Sequence, residues 1–97
     1  MEEIVWNNMA KEEVLTADYL KSLGFTYYES SNDYFISLYS ADRHDTVDID
    51  IFNVDGGEYD GIQLHIEDSH ETTIMHIMNC NTVEKFKMAM ALLEINI

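Results

Sequence analysis

His65, His70, His76 and Cys80 are side chains of the types that ligate transition metals or act as nucleophiles, and carboxylates lie among them. Their spacings match no common zinc module, which pairs ligands as CxxC or HxxxH and adds a second pair. His65 and His76 with Asp50 form the one set able to hold a surface ion; the alternative is two partly exposed histidines with no ligand. Cys80 stands just before a helix start, where a thiolate is favoured, with His76 four residues back, although a small half-buried cysteine beside a cap is the commoner arrangement. Asp48 and Glu67 are the obvious pair for general acid and base work, but a sheet face open to water does not separate two carboxyl pKa values. The run Asn53 to Gly61 lacks the acids that a calcium-binding EF-hand loop requires around its glycine. Glycine-rich phosphate loops and basic patches are absent, which disfavours nucleotide binding and direct nucleic-acid binding. The chemistry points away from an enzyme, and no metal or other cofactor is expected.

The element that positions most of these residues is Thr46 to Glu71. Val47, Ile49 and Ile51 alternate with Asp48 and Asp50, and after a turn Ile62, Leu64 and Ile66 alternate with Gln63, His65 and Glu67. This is the period of half-buried strands, so the segment reads as a hairpin with one apolar and one acidic face. Asp55 to Asp60 forms the turn, with Gly56 and Gly57 supplying positive φ. A six-residue turn sets Ile51 opposite Leu64 and Ile49 opposite Ile66 on the core side, and Asp50 opposite His65 and Asp48 opposite Glu67 outside. A four-residue turn before the hairpin places Tyr39 beside Asp48 and Ser37 beside Asp50; on the far side His76 falls beside Gln63.

The remaining elements follow in order. Ile4, Val5 and Trp6 read as an N-terminal arm. Asn7 or Asn8 caps a helix through Ala10, Val14, Ala17, Leu20 and Leu23 that ends at Gly24, with Thr16 as an alternative second cap that would split it. Phe25 to Glu29 is a short strand; Tyr34 to Ser40 is the next, with Tyr34, Ile36 and Leu38 on one face and Phe35, Ser37 and Tyr39 on the other. Thr72 to Met78 is a last strand, apolar on both faces and therefore either doubly covered or partner-binding. Asn81 with Glu84 is a capping-box pattern, and Val83, Phe86, Ala89, Met90, Leu93 and Ile97 recur at helical spacing. Short connections make neighbouring strands antiparallel. The predicted fold is one α+β domain over residues 1–97, an antiparallel meander of about 4–5 strands flanked by an N-terminal and a C-terminal helix.

The chain of 97 residues is 46% hydrophobic, a globular composition, yet carries 19 acidic and 5 basic residues, a formal charge of -14. About 2 to 8 units of either sign suffice to keep a small domain soluble. Ten carboxylates against Arg43 alone lie between Asp42 and Glu71, -9 of the total. Such a field repels nucleic acid and anionic membranes and attracts basic partners. One cysteine permits no intrachain disulfide, and neither a signal peptide nor a long apolar span is evident, so the cytoplasm is the expected compartment. Methionines 75, 78, 88 and 90 fill core or offer an adaptable surface.

The outer face of the hairpin is thus expected to gather Asp48, Asp50 and Glu67. Asp48 opposite Glu67 is a like-charge pair that costs a few tenths of a kcal/mol up to about 1. A charged strand face serves solubility and blocks edge pairing, but mixed Lys and Glu would do so with less repulsion. Carboxylates about 6.6 Å apart along a strand form a row of charge like a nucleic-acid backbone, able to occupy a groove whose Lys and Arg neutralise phosphates. On this reading Asp48, Asp50, Asp55, Glu58, Asp60 and Glu67 meet the cations, and Tyr39, Phe52 and Tyr59 are aromatic anchors. The alternative is a self-associating assembly protein that dimerises through the strand holding Ile74 and His76.

Through LTADYLKSLGF, Leu15 to Phe25, the strand holding Tyr34, and NTVEKFKMAMALLE near the end, the chain resembles short phage- and prophage-encoded proteins. With its size, acidity and single cysteine it is similar to anti-CRISPR and other anti-defence inhibitors, many of them DNA mimics. The resemblance assigns no residue a role. It implies a non-enzymatic inhibitor whose partner is the basic groove of a host nuclease or effector complex.

Overall fold

A computed structural model describes residues 13–54 and 61–97. Its elements run α1 (Ala17–Ser22), β1 (Thr26–Tyr28), β2 (Asp33–Ser40), β3 (Asp45–Phe52), β4 (Gln63–Glu67), β5 (Thr73–Ile77) and α2 (Val83–Leu92). The five strands form one sheet in sequence order, each antiparallel to the next. The α+β meander with a helix before and after it is therefore the fold that the sequence predicts. The expected arm at Ile4 to Trp6, the caps at Asn7 or Asn8, and the turn from Asp55 to Asp60 lie outside the described residues.

Alternation places the core. Val47, Ile49, Ile51, Leu64 and Ile66 project from the two central strands to one face at 0% exposure. Leu20 of α1 and Phe86, Ala89 and Met90 of α2 join them in one cluster. Edge-on rings knit the helical layer, with Phe86 centred 6.2 Å from Tyr19 and 6.0 Å from Phe25.

Both helices end in the same way. Gly24 takes φ +103°, its N–H donates to the Lys21 carbonyl and that of Phe25 to the Leu20 carbonyl, a Schellman motif. At α2 the left-handed position is filled by Glu94, with Ile95 N–H reaching the Met90 carbonyl at 2.9 Å.

The helix starts differ from the favoured sequence reading. Thr16 caps α1, its Oγ1 accepting from Tyr19 N–H, so a single helix through Val14 does not form. Glu13 to Leu15 instead runs extended beside the start of α2, with Leu15 N–H donating to the Asn81 carbonyl and Val83 N–H to that of Glu13, both at 2.9 Å. α2 is capped by Thr82 and not Asn81. Asn81 is engaged elsewhere: its Oδ1 accepts from Ile62 N–H at 2.7 Å.

Ser40 and Gly61 lock the frame. Ser40, fully buried, donates to the Leu93 carbonyl at 2.7 Å and ties the β2–β3 turn to the end of α2. Gly61 has φ +94°, and a Cβ there would collide with Asn79 Oδ1 and lie 2.9 Å from Asn81 Oδ1. Ser40→Ala leaves the Leu93 carbonyl unpaired, and its expected cost is about 1 to 3 kcal/mol. Gly61→Ala combines strain with the clash and should cost at least about 1 kcal/mol. Urea denaturation of each variant checks both values, and wild-type midpoints would refute the roles given to these contacts.

Candidate acidic interface

Register sorts the outer face into rows. In an antiparallel ladder directly opposed residues share a face. Tyr39 and Thr46 form the first row; Ser37, Asp48 and Glu67 the second; Phe35, Asp50, His65 and His76 the third; Tyr28, Asp33, Phe52 and Gln63 the fourth. The sequence-derived pairings Asp48–Glu67 and Asp50–His65 are present as expected.

Two neighbouring registers differ from expectation by two residues. Asp45 joins the ladder opposite Ser40, because the turn closes at His44 in a left-handed conformation (φ 56°). Ser37 therefore faces Asp48, and Phe35 rather than Ser37 faces Asp50, while Tyr39 moves beyond the carboxylates to Thr46. On the other side a bulge sets Ile66 against Met75 and Glu67 against Thr73, making Ile74 the extra residue of β5. His76 consequently stands beside His65, ring centroids 5.3 Å apart, and not beside Gln63.

Asp48, Asp50 and Glu67 thus share one panel. Asp48 accepts from Ser37 Oγ at 2.5 Å. Glu67 Oε1 lies 2.8 Å from His65 Nε2, which has no aligned hydrogen-bond partner. Tyr39, at 59% exposure, flanks the panel at one end, and half-buried Phe52 lies at the other. Asp55, Glu58, Tyr59 and Asp60 lie outside the described residues.

Sequence reasoning omitted Asp33. This carboxylate, 5% exposed, accepts from Ser31 Oγ and lies diagonally across the β2–β3 ladder from Asp50. Its place in a run of Ser and Asn reads as turn chemistry, and only the β2–β3 register brings it to the panel. Partial burial, first, and then the Asp33 hydrogen bond and the charges of Asp33, Glu67 and Asp48 raise the Asp50 pKa to about 7. Phe35 is its cross-strand neighbour on β2.

The cations are directed elsewhere. Arg43, the single cation of the acidic segment, bonds Asp68 at 3.1 Å. Asp68 also accepts from His70 and Thr72 N–H, each at 2.9 Å, and the Thr72 bond leads the causes that hold its pKa below the usual carboxylate value. Lys85 donates to the Asn79 carbonyl. Among the described residues no Lys or Arg pairs with Asp48, Asp50 or Glu67.

The other chemistries find less support in the geometry. His65, His76 and Asp50 do share a row, yet no group of three or more His, Cys, Asp or Glu among the described residues converges as ligands would. Cys80 is wholly buried, and burial pushes its thiol pKa up, against the activation that a helix start would give. No helix among the described residues is long and apolar enough to cross a membrane. No protein family, curated protein or solved structure matches the chain.

An acid whose pKa is higher in the native than in the unfolded state binds its proton more tightly when folded. Asp50 therefore makes stability fall as pH rises from near 3.8 to about 7, with a plateau above. Asp50→Asn removes the titrating carboxyl group. Its expected effect is to flatten that fall and to add on the order of 1 kcal/mol at about pH 8, discounted for solvent screening, with little change at about pH 5. Urea unfolding at the two pH values measures this; equal effects at both would refute the raised Asp50 pKa.

Proposed function

We propose that the chain is a non-enzymatic inhibitor that binds the basic nucleic-acid groove of a host-defence, CRISPR-type nuclease complex through the outer face of β3 and β4. The observation that carries this reading is the panel of Asp48, Asp50 and Glu67, joined by Asp33 and left without a Lys or Arg partner among the described residues. Carboxylates two residues apart on one strand face are about 6.6 Å apart, a spacing a row of phosphate-binding cations can meet. Tyr39 supplies an exposed ring at its border. The resemblance of Leu15 to Phe25 and of the α2 segment to short phage proteins supports a defence complex as the target.

Self-association through β5 has weaker support. The strand is outermost in the sheet and contains no Asp, Glu, Lys or Arg, but the bulge at Ile74 interrupts the ladder a second copy would extend. Bulges are a common means of keeping sheet edges from pairing.

The test is competition: the chain is titrated into a CRISPR-type nuclease complex loaded with its DNA, and the released DNA is measured. Release is expected at low salt and should weaken steeply as salt rises. Replacing Asp48, Asp50 and Glu67 by Lys should abolish it while circular dichroism stays native. A folded triple variant that competes as well as wild type would reject the assigned face.

A further inference from the structure

We infer that the residues ahead of Glu13 cover the outer side of α2, with Ile4, Val5 and Trp6 laid across Met88, Ala91 and Leu92. The contact is independent of the acidic panel, which lies on the other face of the sheet. All three α2 residues are exposed, Met88 at 64% and Leu92 at 69%. Apolar side chains exposed singly need no explanation, but these are neighbours, since positions three and four apart share one helix face. Phe86, Ala89, Met90 and Leu93 on the opposite side are buried. Apolar residues thus occupy both sides of α2, and the core covers only one.

The occupant follows from where the chain enters. The Glu13 carbonyl accepts from Val83 N–H and Val14 pairs with Thr82, so the residues ahead of Glu13 depart from the first turn of α2. Residues 1–12 can span up to about 40 Å when extended, whereas the 10 residues of α2 are about 15 Å long. Tethered at that point, the segment meets the helix at an effective concentration in the millimolar range. Charge favours the same occupant. α2 holds Lys85 and Lys87 against Glu84, a net +1 in a chain of -14, with Lys85 three residues before Met88 and Lys87 four before Ala91. Residues 1–12 hold Glu2, Glu3 and Glu12 against Lys11, and Glu2 and Glu3 directly precede Ile4. A second copy would bring a further -14 to this surface and be repelled.

Trp6 is the chain's one tryptophan and reports the contact. Its emission in the intact chain should lie to the blue of that from a synthetic peptide of residues 1–12, and acrylamide should quench it less. Met88→Glu/Leu92→Glu alters only exposed positions, so circular dichroism should stay native while Trp6 emission and quenching move to the peptide's values. Met88→Ala/Leu92→Ala keeps helix propensity and should shift both readings the same way by less; it decides the matter if the glutamate variant unfolds. Protection should also be independent of protein concentration. Peptide-like emission in the wild type overturns the inference, as does protection that survives in the folded variants. Protection lost on dilution gives the surface to a second copy and overturns it equally.

Discussion

Everything on the outer face depends on the apolar strip beneath it. Val47, Ile49, Ile51, Leu64 and Ile66 are sealed under the helices, and full burial of such a side chain is worth roughly 1.5–3 kcal/mol. Five of them outweigh by several-fold the price of up to about 1 kcal/mol for a like-charge cross-strand pair such as Asp48–Glu67. Because side chains alternate, the register that buries the strip also sets the acids side by side. The carboxylates cannot drift apart without exposing the core.

That coupling explains how the chain sustains charge of one sign. Where a cation stands inside the acidic segment, as Arg43 does, it is spent on the β4–β5 turn through Asp68 and not on the panel. Lys21 ends α1 and Lys85 lies in α2, on the layer that covers the opposite face of the sheet. There the lysines share their layer with Asp18 and Glu84 of the same helices.

The strands, their order and the inward and outward faces were legible because period-two alternation and short connections leave one economical arrangement. The β3–β4 register was legible too, since it must set Ile49 and Ile51 against Ile66 and Leu64. The flanking registers were not. A left-handed His44 and a bulge at Ile74 are single-residue events with no glycine to announce them; the first preserves the face while changing the neighbours, and the second also sets Thr73 on the face opposite Met75. Asp33 was missed for that reason. The helix starts show a second limit: Asn81 and Thr82 are both good caps, and only the tertiary demand of Ile62 N–H for an acceptor decides between them.

The short pairing of Glu13 to Leu15 with Asn81 to Val83 bears on how the molecule assembles. The meander consists of local hairpins that close quickly, whereas this contact joins segments from opposite ends of the described chain and carries the largest loop-closure entropy. During synthesis the sheet can organise while the segment ahead of α1 waits for α2 to emerge. Closing this contact costs more chain entropy than closing any hairpin of the sheet.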